Sequence, residues 1–206
     1  MIPLMIDFTG KKVIIFGGGV VGARKARYFA HEADVVVYSR SFHPEFQEIP
    51  VRTEVCNLTK DMEILRNMVH NASLVIAATS DPELNELIES ACTREHIWCN
   101  VAAGKQSDVV LPAKISGSRY VIAVSTSGSV PAVSRLIREQ IENTFPDLDD
   151  LILLGEWIRD MYRGDRTGTD TYDAVLYAAL RDPETRKALT NGMSAAQEYV
   201  QRRFAL

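Results

Sequence analysis

Gly17, Gly19 and Gly22 stand in the spacing G-x-G-x-x-G within the run VIIFGGGVVGARKARYF. Each of these positions has a physical task in gripping the pyrophosphate of a dinucleotide. The first allows a tight turn, the second lets backbone approach the phosphate oxygens, and the third lets a helix pack closely on a strand. The chemistry on offer is anion binding by backbone N–H groups at a helix N-terminus, where unpaired amides and the helix dipole both favour negative charge. A lone match of this kind carries little weight, and the flanking segments decide it. KVIIF before the glycines reads as a strand, and VVGARKARYFA after them reads as a helix.

Such a loop is completed about 20 residues further on, at the end of the following strand. The run there is VVVYSRS, which offers Ser39, Arg40 and Ser41 and no acid. An acid would bond the ribose 2′-hydroxyl of NAD, whereas an arginine can pair with the 2′-phosphate of NADP. Taken alone, the run favours NADP. Arg40 covering the adenine or facing water fits it equally well, so the residues leave both readings open. Other chemistries are poorly represented. Cys56, Cys92 and Cys99 form no C-x-x-C pair, and His31, His43, His70 and His96 form no H-x-x-x-H pair, so spacing offers no metal site. An odd, scattered set of cysteines suits reduced thiols and a cytoplasmic setting better than a disulfide framework.

The elements that must position this loop alternate regularly from residue 12 to about 113. DVVVYS reads as a second strand and VRTEVC as a weaker edge strand. DMEILRNMV reads as a short helix and SLVIAAT as a buried strand by its uninterrupted apolar run. DPELNELIESACTREH opens with Asp81 as N-cap and Pro82 at the first helical position, and IWCNVA closes the series. This rhythm predicts a parallel sheet with helices on both faces. It then changes. VVLPAKISGSRYVIAVST reads as two strands around the turn SGSR, and SGSVP leads into the helix PAVSRLIREQIENTF. That helix sets Val133, Leu136, Ile137 and Ile141 on one face. Beyond Pro146 the pattern is helical. Leu151, Leu154, Ile158 and Met161 form one stripe, then a polar loop over residues 163–171 precedes two further helical stretches. The expected division is a nucleotide domain over residues 1–113, a hairpin-and-helix region over 114–145 and a helical domain over 146–206.

Composition bounds the function. The 206 residues are 46% hydrophobic and 24% charged, as in a chain that buries a sizeable core. A net charge of −4 and a pI near 5.6 disfavour nucleic-acid and membrane-surface binding, which rest on a basic field. No apolar run reaches the roughly 18 residues of a membrane span, and MIPLMIDFTGKK lacks the regions of a signal peptide.

DFTGKKVIIFGGGVVGARKARYF, LVIAATSDPELNELI, CNVA, LPAKI and YVIAVSTSGSVPAVSRLIREQIE occur in that order. Together they resemble the precorrin-2 dehydrogenase and sirohydrochlorin ferrochelatase family, the amino-terminal module of siroheme synthase. The resemblance covers about the first 145 residues, and its most specific part is STSGSVPAVSRLIRE. It implies an α/β fold: a Rossmann-type parallel sheet domain, a small α+β dimerisation region and a helical C-terminal tail. It implies a homodimer that takes a hydride from precorrin-2, a tetrapyrrole with eight carboxylates, onto NAD to give sirohydrochlorin. The family's nucleotide contacts fall on Gly19, Val20 and Val21, on Arg40 and Ser41, and on Thr79. Family members that lack the ribose-binding acid still use NAD, so NAD is the expected cofactor, with NADP not excluded.

One departure bears on activity. The family carries an aspartate directly after CNV[VT] as acid–base group, and here Ala102 and Ala103 stand in its place. A methyl group exchanges no proton. Asp108, five residues on, is the candidate replacement, with a turn or strand-start role as the competing reading. Dehydrogenation gains much of its rate from positioning, whereas metal insertion needs a group to take the pyrrole protons. The expectation is therefore a dehydrogenase without ferrochelatase activity. The same departure keeps open a non-catalytic carrier that binds NAD and the tetrapyrrole, and the fold alone would also serve an unrelated small substrate. The carboxylates of precorrin-2 point to Lys105, Lys114, Arg119 and Arg135 as substrate contacts, with Ser125 in the small-residue loop STSGSV as a backbone anion site.

Overall fold

The computed structural model describes residues 1–102, 107–127, 130–162 and 169–204. They form two compact units, Met1–Leu111 and Pro112–Leu206. In the first, β1 (Lys12–Phe16), β2 (Asp34–Ser39), β3 (Arg52–Val55), β4 (Leu74–Ala77) and β5 (Trp98–Val101) alternate with three helices. These are α1 (Val20–Phe29), α2 (Met62–Val69) and α3 (Pro82–Arg94). All neighbouring strands are parallel, in the order β3-β2-β1-β4-β5.

Two-residue periodicity sorts the side chains of each strand onto opposite faces. On β1, Val13 and Ile15 join Ala23, Ala26 and Phe29 of α1 in one core. Ile14 and Phe16 join Leu65 and Val69 of α2 and Leu84, Ile88 and Ala91 of α3 in the other. Both faces of β1 and β4 are thus covered, and this is why these strands read as unbroken apolar runs. Ile14 is fully buried between neighbours Val36 and Val75, and Ile14→Ala would cost roughly 2–5 kcal/mol. β3, one of the two edge strands, is exposed along its length. Asp61 caps α2 and Asp81 caps α3, each carboxylate accepting two helical amides. A cap of this kind contributes about 1 kcal/mol.

The sheet order has a functional consequence. The chain leaves β1 toward β2 and β3 on one side, and β4 and β5 lie on the other. The C-terminal ends of β1 and β4 therefore open a crevice at the switch point, where such sheets bind ligands.

The second unit holds the antiparallel pair β6 (Ala113–Ser116) and β7 (Val121–Val124), followed by five helices. These are α4 (Pro131–Thr144), α5 (Leu148–Tyr162), α6 (Thr169–Arg181), α7 (Pro183–Leu189) and α8 (Met193–Phe204). The hairpin turn is held by Asp149 of α5, whose two carboxylate oxygens accept the Ser118 and Arg119 amides at 2.9 Å. Leu154 and Ile158 of α5 pack with Ala179, Leu189, Ala196 and Val200 into this unit's own core, and Leu151 joins its edge. Met161, expected on the same stripe, is exposed.

Four expectations are corrected here. Val109–Pro112 forms no strand, and the hairpin starts only at Ala113. At its start the Val109 amide donates to the Cys99 carbonyl at 3.4 Å, and side chains supply further bonds to β5. Asn100 donates to the Val109 carbonyl at 2.7 Å, and Ser107 Oγ accepts the Val101 amide at 3.0 Å. Helix α6 begins at Thr169, inside the expected polar loop, whose residues 163–168 lie outside the described ones. Three helices, not two, follow it. The apolar stripe of α4 also behaves unlike a core stripe. Val133 (41%), Leu136 (54%) and Ile137 (39%) are exposed, and only Ser134 of the helix is buried. No helix among the described residues is long and apolar enough to cross a membrane.

Candidate nucleotide-binding site

The chain turns at the end of β1 on Gly17, whose amide donates to the Tyr38 carbonyl at 2.9 Å. Gly17 has φ +119, and a Cβ there would stand 2.3 Å from the Ala78 carbonyl oxygen. No L-residue fits either constraint. A Cβ on Gly22 would stand 1.9 Å from the Gly17 oxygen, so the third glycine is what lets α1 seat against the turn. Gly18, which lies outside the G-x-G-x-x-G spacing, is equally confined, since its Cβ would meet the Ser41 carbonyl at 2.3 Å. A triple glycine was the available signal for this crossing of two loops.

Gly19 differs from all three. A Cβ there meets nothing within 4 Å. Its missing side chain leaves open space at the N-terminus of α1, the close approach that a pyrophosphate needs. It is also the N-cap of α1 and supplies no side-chain hydrogen bond, whereas aspartates cap α2, α3 and α7. The first amides of a helix have no intrahelical acceptor, so those of α1 await a partner. Val20 and Val21 are exposed beside them and line the cleft.

The cleft encloses about 720 Å³ between the ends of β1, β2 and β4. Ser39, Arg40, Ser41 and His43 line its β2 side. Backbone bonds fix that side, the His43 amide donating to the Gly18 carbonyl at 2.7 Å and the Cys56 amide to the Ser39 carbonyl at 2.9 Å. On the β4 side, Thr79 is clamped by the buried Asn85. The Asn85 Oδ1 accepts the Thr79 amide at 3.1 Å and lies 2.8 Å from its Oγ1, while its Nδ2 donates to the Thr79 carbonyl at 3.1 Å. Asp81 beside it caps α3 and pairs with Lys60 at 2.9 Å. That hydrogen bond, followed by the Leu84 amide, holds the Asp81 carboxyl below its usual range, and Lys60 is raised by Glu83 and then by Asp81.

The residues present therefore fit a dinucleotide: backbone donors without a cap, a methyl-sized vacancy at Gly19 and polar side chains at both ends. Over residues 4–113 the chain also matches a family model described as NAD(P)-binding. Precorrin-2 dehydrogenase of Methanosarcina barkeri is 34% identical over 203 residues, covering 96% of this chain and 88% of that protein. The chain belongs to the precorrin-2 dehydrogenase family. It has the nicotinamide-nucleotide-binding domain of that family and the role of a dehydrogenase. Siroheme synthase 2 of Klebsiella pneumoniae is 32% identical over 147 residues, which are 70% of this chain and 32% of that longer protein. The chain thus matches about a third of the siroheme synthase. The solved structure of SirC, a precorrin-2 dehydrogenase, superposes with a TM-score of 0.71 at 19% identity, over 100% of this chain and 99% of the other. It has the same fold.

Of the residues expected from the sequence, Gly17, Gly19, Val20, Val21, Arg40, Ser41 and Thr79 line one cleft. Gly22 lies behind it as a packing residue. Sequence reasoning missed Asn57, Leu58 and His43 in the lining and Asn85 behind Thr79. Asn85 alone left a trace, as a polar residue beside the apolar positions Leu84 and Ile88 of its helix. Asp108 is not among the lining residues, and its Oδ2 accepts the Cys99 amide at 3.3 Å. Ala103 and Lys105 lie outside the described residues. Ser125 and Arg135 belong to the second unit. Ser125 Oγ accepts the Ser127 amide at 3.1 Å, and Arg135 is exposed on α4. Arg119 is engaged with Glu156 at 2.9 Å.

Proposed function

We propose that this chain catalyses the NAD-dependent dehydrogenation of precorrin-2 to sirohydrochlorin, in a cytoplasmic route to siroheme or a related tetrapyrrole. The observation that carries the reading is the end-to-end likeness to the precorrin-2 dehydrogenase of Methanosarcina barkeri, across both units rather than the nucleotide domain alone. When bound, the nucleotide supplies the hydride acceptor. The amides of Val20 and Val21 hold its pyrophosphate over Gly19, Arg40 and Ser41 meet its adenosine end, and Thr79, fixed by Asn85, bounds the nicotinamide side. These residues act by positioning, which supplies a large part of the rate in a hydride transfer between two bound partners. The other hydrogen leaves the macrocycle as a proton, to water.

Asp108 has one oxygen on the Cys99 amide, and we assign it to holding residues 107–109 along β5. With Ala103 at the family's acid position, we propose dehydrogenation without iron insertion. Lys105, Ser125 and Arg135 are proposed to meet the substrate's carboxylates, Arg135 by bidentate pairing. The three free cysteines accord with a reducing compartment. A homodimer is supported by the exposed stripe Val133, Leu136 and Ile137, with Val121 of β7 exposed as well. An apolar face of this kind marks an interaction surface, so we propose 114–145 as the dimerisation region.

The test mixes purified protein with freshly generated precorrin-2 and NAD⁺, without metal, and follows NADH together with the sirohydrochlorin spectrum. Coupled appearance of both, above the protein-free rate, is the expected result. Tight binding of the tetrapyrrole without acceleration by either nucleotide would point instead to a carrier.

A further inference from the structure

We infer, on the tetrapyrrole reading of the substrate proposed above, that Lys25 of α1 is a substrate contact whose ammonium binds a carboxylate of the macrocycle on the β4–β5 side of the cleft. The two flanks of α1 face different strands. Arg27 pairs at 2.7 Å with Glu45, in the turn Pro44–Gln47 between β2 and β3, so its flank faces β2. Residues two apart on a helix stand roughly 200° apart, which turns Lys25 toward β4 and β5. Val21, one turn before Lys25 on the same flank, lines the cleft. Tyr28, one turn after it, packs against the α1-side core, as do Ala78, Val109 and Leu111. Side chains on a helix lean toward its N-terminus, which directs the lysine stem along this flank toward the cleft.

The fold gives this cation no counter-ion. Lys25 is half-buried and makes no hydrogen bond or ion pair among the described residues, while Arg27, Arg52 and Arg66 of the same unit each pair with a glutamate. Burial, followed by the charge of Arg24, pulls the lysine below its ordinary pKa. The acids of the surrounding elements are engaged elsewhere. Glu32 lies beyond the far end of α1 and acts on Tyr28. Asp81 is held by Lys60 at 2.9 Å. Asp108 accepts the Cys99 amide and acts on Glu89 of α3, on the opposite face of the sheet. The run AAGKQS after β5 contains no acid. A partly desolvated, unpaired cation is a cost to the folded chain, and a polycarboxylate substrate supplies the missing charge. The α1 face of the sheet also holds an unmatched acceptor. Asn100, the register partner of Ile76 in the α1-side core, is 6% exposed. Its Nδ2 donates to the Val109 carbonyl at 2.7 Å, and its buried Oδ1 has no hydrogen-bond partner among the described residues. An ammonium has three donors, enough to meet this oxygen and a carboxylate together.

The experiment titrates the full chain with sirohydrochlorin, followed by its visible absorption, and with NAD⁺ by calorimetry, for the unaltered protein, Lys25→Met and Lys25→Arg. Lys25→Met keeps the apolar stem and removes one charge-assisted bond, so sirohydrochlorin should bind about tenfold or more weaker. NAD⁺ affinity should stay within about threefold of the parent, and Lys25→Arg should recover most of the tetrapyrrole affinity. The urea midpoint of Lys25→Met should equal or exceed that of the parent, since a half-buried charge is gone; a purely structural lysine would lower it. Sirohydrochlorin binding within about threefold of the parent in Lys25→Met, or a loss matched by an equal loss for NAD⁺, would overturn the inference, the second by assigning the ammonium to the nucleotide. A parent protein that binds NAD⁺ but no sirohydrochlorin would overturn the tetrapyrrole reading, and the contact with it.

Discussion

Replacing Gly19 by aspartate should stabilise this protein and abolish its nucleotide binding, two effects of opposite sign from one side chain. Gly19 caps α1 with φ −78 and ψ −173, extended values that any residue adopts, and a Cβ there meets nothing within 4 Å. Nothing in the fold resists the substitution. An N-cap aspartate bonds amides of the first helical turn, as Asp61 and Asp81 do in α2 and α3. It is better than glycine by a few tenths of a kcal/mol, and its charge at the positive end of the helix adds about 0.3–1 kcal/mol. The sum, roughly 0.5–1 kcal/mol, corresponds to a rise of about 1–4 °C in Tm. The same carboxylate takes the donors that would hold the pyrophosphate. Losing two charge-assisted hydrogen bonds at about 1.5–3 kcal/mol each weakens binding by at least about 100-fold, before repulsion is added. Urea unfolding of the nucleotide-free protein and calorimetric titration with NAD⁺ read the two effects separately. A Gly19→Asp protein that is less stable by 1 kcal/mol or more, or that binds NAD⁺ within about threefold of the parent, would refute the reasoning.

Gly22→Ala should act in the contrary manner, since its Cβ would stand 1.9 Å from the Gly17 oxygen. A loss of about 2–3 kcal/mol in urea is expected, and an unchanged midpoint would count against the packing role. Asn85→Leu strands the half-buried Thr79 amide and should cost about 1–3 kcal/mol while weakening NAD⁺ binding, with denaturation and titration as the measurements. The Asp81 carboxyl is held down chiefly by Lys60. With the folded pKa below the unfolded one, its stabilising effect is present above the unfolded value near 3.9 and is lost as pH falls through the folded value. Lys60→Met should therefore raise the Asp81 midpoint in an NMR titration, and a midpoint that stays put would remove Lys60 as the cause. Leu136→Asp places a charge in the exposed stripe of α4 and should shift sedimentation from dimer to monomer without loss of helicity. A parent protein that sediments as a monomer would contradict the proposed interface.

The nucleotide half was legible because its signals are local. β1 and β4 are buried on both faces, so their runs are apolar without interruption, and Gly17, Gly18 and Gly22 each answer to a neighbour within a few residues or one strand away. Asp81 and Pro82 marked the start of α3 for the same reason. Signals that depend on distant partners were not legible. Val109–Pro112 is apolar like a strand, yet among the described residues only Val109 bonds to β5, through the Cys99 carbonyl and the Asn100 side chain, while the Ser107 and Asp108 side chains before it accept the Val101 and Cys99 amides, a choice that no periodicity records. The stripe on α4 has the spacing of a core face, but spacing does not say what covers it, and in the single chain Leu136 is 54% exposed. Asn57 and Leu58 enter the cleft only because β3 lies beside β2, a pairing set by the whole sheet.

The most direct test of the central claim is a metal-free reaction of this protein with precorrin-2 and NAD⁺, recording NADH and sirohydrochlorin in the same cuvette. The account requires the two to appear together in equal amounts, faster than without protein, and to be strongly slowed by Gly19→Asp at the same protein concentration. Sirohydrochlorin forming at the protein-free rate, or at an equal rate with the Gly19→Asp protein, would contradict it.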